Sequence, residues 1–289
     1  ICSMPRRGYY ACELPEAPVL ASAETEFDRD SAAARSNAHD AGEQPEQFAP
    51  LSPSALEAAR LWQSALRATL TSEDEREFFS PAPAQGTARL RCAIAHHLRG
   101  TRGMNVNPDN IVIGAGAQLL DTMLVQLLGA DKTYAVEDPG YLRLTRIYQA
   151  MGCKVRHIPL DGEGVNLGEL FDAGADVLHL MPSHQYPTGL VTSIARRYAL
   201  LSWAAEQPGR YLIEDDFDCE FRLAGKPIPA LASIDAAQSV IYTNTFSKSL
   251  SSALRLAYMV LPDELMERFR RNLGFYASSV SSVDQVALA

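Results

Sequence analysis

Between residues 111 and 275 the apolar and polar positions switch repeatedly between two rhythms. Short apolar runs occur at "IVI" (111–113), "TYAVED" (133–138), "KVRHIPL" (154–160), "ADVLHLMP" (175–182), "RYLIEDD" (210–216), "SVIYTNTF" (239–246) and "LAYMVLP" (256–262). Their length, their Val, Ile, Leu and Tyr content and their Gly, Pro or charged borders predict strands. Four stretches interleaved with these runs or placed after them have helical spacing: "AQLLDTMLVQLLG" (117–129), "GYLRLTRIYQAMG" (140–152), "SIARRYALLSWAAEQ" (193–207) and "DELMERFRRNLGF" (263–275). Strands alternating with helices predict an α/β domain with a mostly parallel sheet flanked by helices. Upstream, "SPSALEAARLWQSALRATL" (52–70) places Leu56, Ala59, Leu61, Leu66 and Leu70 near helical spacing behind a capping serine. "GTARLRCAIAHHLRGTRG" (86–103) predicts a second helix that ends at Gly100 or Gly103. Residues 13–50 are rich in Ala, Glu, Pro, Asp and Ser and carry few large apolar residues. They are expected to be a linker or an irregular arm.

Composition narrows the class. The 289 residues suffice for one large domain or two modest ones, and 47% of them are hydrophobic, which suits a globular core. No run of eighteen apolar residues occurs, so no membrane helix is expected. Cys2, Cys12, Cys92, Cys153 and Cys219 are scattered without a CxxC pair. That spacing favours reduced thiols in a cytoplasmic protein and offers no metal site. The net charge of −9 argues against a chain that grips nucleic acid along its whole surface. DNA binding would require a separate basic module.

In a parallel α/β sheet, ligands bind beyond the carboxyl ends of the strands, so candidate residues belong at the strand ends. Gly114, Ala115, Gly116, Ala117 and Gln118 come after the first strand and open a helix, where N–H groups and the helix dipole favour an anion. A tight strand-to-helix turn accounts for those small residues equally well. Tyr141 begins the next helix and could stack on a flat ligand or simply pack the helix start. The loop Pro182–Gly189 is polar and turn-forming, and its His184 reads more readily as a hydrogen-bonding residue than as a general base. Glu214, Asp215, Asp216 and Asp218 cluster at another strand end, where one or two carboxylates can point inward. Lys248, one of only four lysines against twenty-two arginines, lies among Thr245, Ser247, Ser249, Ser251 and Ser252, with Arg255 seven positions on. Taken singly each has an ordinary structural explanation. As a set they match the needs of pyridoxal 5'-phosphate (PLP). That cofactor takes an amine for a Schiff base, a carboxylate for its ring nitrogen, an aromatic for its flat face, and N–H, hydroxyl and arginine donors for its phosphate.

The stretches "EDPGYLR" (137–143), "MPSHQYPTGLVTSIARRYALLSWA" (181–204), "EDDFDCEFRLAGKPIPAL" (214–231) and "IYTNTFSKSLSSALRLAYMVLP" (241–262) resemble the aminotransferase-like domain of the MocR subfamily of GntR-type transcriptional regulators. The resemblance covers about residues 51–289. It implies the large domain of PLP-dependent transferase fold type I, with the small C-terminal domain truncated and its carboxylate-binding arginine absent. It further implies that Lys248 holds the cofactor, Asp215 faces the pyridine nitrogen and Tyr141 stacks on the ring. Arg255, Ser247, Thr245 and the Gly116–Ala117–Gln118 turn would hold the phosphate. Arg143 becomes a candidate for an effector carboxylate. "RRGYYAC" (6–12) resembles the last wing strand of a winged helix-turn-helix, so residues 1–12 are expected to be its remnant and 13–50 the linker after it. Three positions depart from the family pattern. Phe217 stands where a tyrosine is usual, Tyr186 takes the Asn position of the NPTG loop and could supply the missing hydroxyl, and Ala257 replaces a glycine.

The expected function is a PLP-binding sensor domain of a dimeric regulator, responding to PLP or a small amino compound and reaching DNA through a module outside this chain. A working PLP aminotransferase using the same lysine is the alternative. A domain that keeps the fold without the cofactor is the third reading.

Overall fold

The computed structural model of the chain describes residues 2–4, 8–10, 53–71, 79–218, 229–251 and 253–289. The expected linker, 13–50, lies outside them. Residues 1–50 and 51–289 form two compact units. In the first, β1 (Cys2–Met4) and β2 (Gly8–Tyr10) pair antiparallel.

The second unit begins with α1 (Pro53–Leu70) and α2 (Ala88–Arg102). Thr87 caps α2 by accepting from the Leu90 N–H, and Gly103 ends it at φ 66°, so of the two glycines expected to stop this helix it is the second that does. Next come β3 (Ile111–Gly114), α3 (Ala117–Leu128), β4 (Thr133–Asp138), α4 (Leu142–Ala150), β5 (Lys154–Asp161), β6 (Gly164–Val165), α5 (Leu167–Asp172) and β7 (Val177–Leu180). The chain continues through α6 (Ile194–Ala205), β8 (Tyr211–Asp215), α7 (Leu231–Ile234), β9 (Val240–Thr245), β10 (Ala257–Val260), α8 (Asp263–Asn272) and α9 (Ser282–Leu288). Every strand and helix expected from the pattern is present. The short β6, α5, α7 and α9 are additions, too brief to leave a periodic signal.

The main sheet has eight strands in the order β3-β10-β9-β8-β7-β4-β5-β6. Strands β9, β8, β7, β4 and β5 run parallel, whereas β10 is antiparallel to both its neighbours and β6 to β5. Strand alternation divides the apolar side chains between two faces. Tyr134, Val136, Val177, Met181, Tyr211, Ile213, Ile241 and Met259 pack under α3, α4 and α8. Ala135, Leu178, Leu180, Leu212 and Val240 pack under α5, α6 and α7. A third cluster joins α2 to Ile111, Ile113, Tyr242 and Tyr258 at the β3 edge.

One detail of α1 differs from expectation. Leu56, Leu61 and Leu70 are exposed. The inward stripe instead runs through Trp62, which packs on the β3-edge cluster, because a helix that docks along one narrow seam buries only one of its apolar rows.

The loop after β7 is tied to the sheet by a buried cation. Arg197, on α6, is fully buried and donates to the carbonyls of Thr192 (3.1 Å), Pro229 (3.0 Å) and Pro182 (2.6 Å). It also lies 3.7 Å from the equally buried Glu214. Removing one member of such a pair strands the other's charge and typically costs about 3–5 kcal/mol. Arg197→Met should therefore destabilise the protein by about that amount, read as a lower urea midpoint, whereas an unchanged midpoint would mean that the carbonyls are satisfied without it.

Candidate cofactor site

At the carboxyl ends of the parallel strands, on the α3 and α4 face, lies a cavity of about 310 Å³. Its lining includes Lys248, Asp215, Tyr141, Arg255, Ser247, Thr245, Ala117, Gln118, Tyr186 and Arg143. Of the cofactor and effector residues singled out in the sequence, only Gly116 is not in the lining. Asp121, Leu144, Met181 and Phe217 complete it. A larger recess of about 460 Å³ lies beside the start of β9, but no lysine or arginine lines it.

The anion end of the cavity is built from α3, the β9 end and Arg255. Gly116, at φ 90°, precedes α3, and no side chain caps this helix, so its first N–H groups face outward from the helix end. A side chain at position 116 would overlap the Arg255 guanidinium, with Cζ only 2.7 Å from the added Cβ. The guanidinium therefore lies against the start of α3, and only glycine leaves room for it. Arg255 itself sits at φ 50°, a left-handed conformation that a non-glycine residue holds at a cost on the order of 1 kcal/mol or more. The Thr245 hydroxyl lies 2.9 Å from Ser247 Oγ and 3.2 Å from the Leu256 carbonyl, and it accepts the Ser247 N–H at 3.2 Å. These contacts hold two hydroxyls beside the arginine.

The opposite end is acidic. Alternation along β8 sends Tyr211, Ile213 and Asp215 to one face and Leu212 and Glu214 to the other. Glu214 is fully buried, accepts from the Leu231 and Ala232 N–H groups at 2.8 and 2.9 Å, and is pushed up to about 7, chiefly by burial and then by Asp216. Asp216 is paired with Arg102 at 2.9 Å and accepts from the Tyr242 hydroxyl at 2.7 Å. Of the first three carboxylates, only Asp215 reaches the cavity, with His179 Nε2 3.9 Å from its Oδ2. Asp218 instead pairs with His184 Nδ1, whose ring stacks at 6.3 Å on Phe217. His184 is thus a loop-holding residue outside the cavity lining, as its loop position suggested.

At the mouth, the Tyr141 and Tyr186 rings meet edge to face at 5.8 Å, and the Arg143 guanidinium lies 5.7 Å from the Tyr141 ring centre. Two further ionisable residues lie at or beside the cavity without standing at a strand end. Asp121 is the one ionisable residue of α3, and His179 interrupts the apolar run of β7. Both sit within their elements, so the rule of strand ends passes over them, and the break in apolar pattern was the available signal.

The donor set fits PLP. An amine, a carboxylate and an aromatic line one space with an uncapped helix start, an arginine and two hydroxyls. Among the described residues no group of three His, Cys, Asp or Glu side chains could hold a metal, and no helix is long and apolar enough to cross a membrane.

Residues 48–289 match the family model "Aminotransferase class I and II". The chain is 42% identical over 212 residues to the uncharacterized HTH-type transcriptional regulator YhdI of Bacillus subtilis, covering 73% of this chain and 45% of that protein. It is 35% identical over 245 residues to the HTH-type pyridoxine biosynthesis transcriptional regulator PdxR of Corynebacterium glutamicum, covering 85% and 53%. The chain spans about half the length of the curated relatives it matches. An archaeal alanine:glyoxylate aminotransferase shares its fold with a TM-score of 0.72 at 23% identity, over 91% of this chain and 66% of that one. The chain belongs to the class I and II aminotransferase family, whose cofactor is PLP, in the MocR-type branch found among HTH-type transcriptional regulators.

Proposed function

We propose that this chain is the PLP-binding, effector-sensing domain of a MocR/GntR-type transcriptional regulator. The observation that carries the reading is the convergence of Lys248, Asp215 and Arg255 on one cavity with the uncapped start of α3. When bound, PLP supplies an aldehyde carbon that condenses with amines and a ring that withdraws electrons. Lys248 would present the amine for it, and Asp215 would be the carboxylate for its ring nitrogen. Arg255, Ser247, Thr245 and the N–H groups at Ala117 and Gln118 would hold the phosphate; Gly116 shapes the turn, its own N–H being donated to the Gly114 carbonyl at 2.8 Å, and Tyr141 would cover the ring. At the mouth, Arg143 matches an effector carboxylate, and Tyr186 is the substitute hydroxyl donor toward the cofactor.

In this reading a small amino compound, or PLP itself, binds one conformation of a cytoplasmic homodimer better than another, and only that difference can be passed on. The DNA-binding module lies outside this chain. The antiparallel β1–β2 pair, around the wing-like "RRGYYAC", is consistent with a wing remnant joined by a linker. The retained Lys248 amine also supports the second reading, an aminotransferase, in which Lys248 would move a proton as a general base. Turnover of an amino donor separates the two.

Added PLP should give the full-length protein a visible absorption band near the violet edge, and Lys248→Ala should lose it. Arg255→Ala should weaken PLP binding about 10–100-fold, the worth of charge-assisted hydrogen bonds to an anion. A band that survives Lys248→Ala would sink the assignment of the amine. Phe217→Tyr should move the pH midpoint of the band downward, since a restored hydroxyl would donate to the ring's phenolic oxygen. An unchanged midpoint would mean that Tyr186 already fills that role.

A further inference from the structure

Next to the cofactor-holding residues is a set of ionisable side chains to which no cofactor contact is assigned: Asp121 lines the cavity, and His179 and Tyr148 are buried outside its lining. His179, on β7, shares the sheet face of Val177, Met181 and Asp215 and is buried under α3 and α4. Its Nδ1 is 2.6 Å from the hydroxyl of the fully buried Tyr148, on α4. Its Nε2 has no hydrogen-bond partner among the described residues and faces Asp215 Oδ2 at 3.9 Å. A buried ring nitrogen without a partner typically costs about 1–3 kcal/mol, so the vector toward Asp215 requires an explanation. Asp121, also buried, stands one helical turn after Ala117 and so shares its cavity-lining face.

The charges around the imidazole come from four elements. Burial opposes protonation of His179, but Asp215 on β8, Asp121 on α3 and Glu137 on β4 outweigh it and raise the group above the ordinary histidine value. Asp121 is pushed up to about 7 by burial, with His179 opposing and Asp215 adding. Burial likewise brings Glu137 to about 7, against its hydrogen bonds from Gln185 and Met181. On α4, burial first and then the nearby Asp121 hold Tyr148 well above the usual phenol range, so it remains a neutral hydroxyl.

We propose that Tyr148, His179 and Asp121 form a positioning relay behind Asp215: the phenol fixes the imidazole so that Nε2–H points at Asp215, and Asp121 is the second carboxylate that keeps the proton there. The relay orients the carboxylate that would face the ring nitrogen. Its consequence for the cofactor rests on the PLP reading, but the relay itself does not.

Imidazole nitrogen NMR on the full-length protein without cofactor tests it, with the resonance assigned through His179→Gln. His179 should titrate above the ordinary value of about 6.5, and Asp121→Asn should lower its midpoint by about half a pH unit or more while the exposed His157 stays unmoved. Tyr148→Phe should shift the Nδ1 resonance selectively. Because the group is raised on folding, its contribution to stability is complete below the ordinary histidine value. It is lost as pH rises through the raised value, so His179→Gln should flatten that part of the pH–stability curve. A His179 that stays neutral across pH 6–8, or a midpoint indifferent to Asp121→Asn, overturns the relay. With PLP added, Asp121→Asn should keep the visible band but displace its pH midpoint. A band that keeps its midpoint removes the link from relay to cofactor. No band in wild type removes the cofactor reading and leaves the NMR result to decide the relay.

Discussion

The structure depends on how it accommodates three consecutive carboxylates at the end of a buried strand. Glu214, Asp215 and Asp216 leave β8 where both sheet faces are covered, and an uncompensated buried carboxylate costs several kcal/mol. Two of the three are satisfied internally. Glu214 draws on the start of α7 and on Arg197, and Asp216 on Arg102 and Tyr242. Those partners come from α2, α6, α7 and β9, so compensating the charges also ties the β8 end to the surrounding elements. Among the described residues Asp215 has no cation at hydrogen-bonding distance, with His179 at 3.9 Å, and it faces the cavity. Its remaining hydrogen-bonding capacity is available to a ligand.

The other end of the cavity shows the same logic with the sign reversed. The uncapped start of α3 carries partial positive charge, and the fold adds a guanidinium against it instead of a capping carboxylate. Reaching that position requires Arg255 to adopt a left-handed backbone and residue 116 to lack a side chain. A strained arginine set beside a helix start repels its surroundings unless an anion arrives. A cavity lined by an arginine at a helix start, a carboxylate, a lysine and an aromatic suits a flat molecule with an anionic group and a basic ring nitrogen.

Much of this was legible in the sequence, for identifiable reasons. The long strands and helices carry strong periodic signals, and the strand ends of a parallel sheet are where side chains can meet. Lys248, Tyr141 and Arg255 could therefore be grouped before any coordinates. Among Glu214, Asp215, Asp216 and Asp218 the strand pattern left open which carboxylate points inward, and Asp215 was singled out only by the family resemblance. The antiparallel insertion of β10 was not legible, because its apolar run is the same in either direction. Neither was the inward row of α1, where five apolar residues at near-helical spacing left open which seam would dock. Asp121 and His179 were passed over because burial, not sequence position, determines whether an isolated polar residue in an apolar element matters.

A sensor and an enzyme can share such a site because both need the amine, the carboxylate and the phosphate cradle. They part ways once the ligand is bound. An enzyme must hold the transition state better than the bound ligand, whereas a sensor needs only two conformations that the ligand distinguishes. Phe217 bears on this difference. A tyrosine hydroxyl there would adjust the proton balance of the reacting nitrogen, whereas a phenyl ring, stacked on His184 and lining the cavity, preserves the shape and relinquishes that control. Losing a chemical control while keeping every binding element is tolerable for a domain that reports occupancy, and costly for one that must turn over. The geometry of this one residue therefore weighs toward sensing.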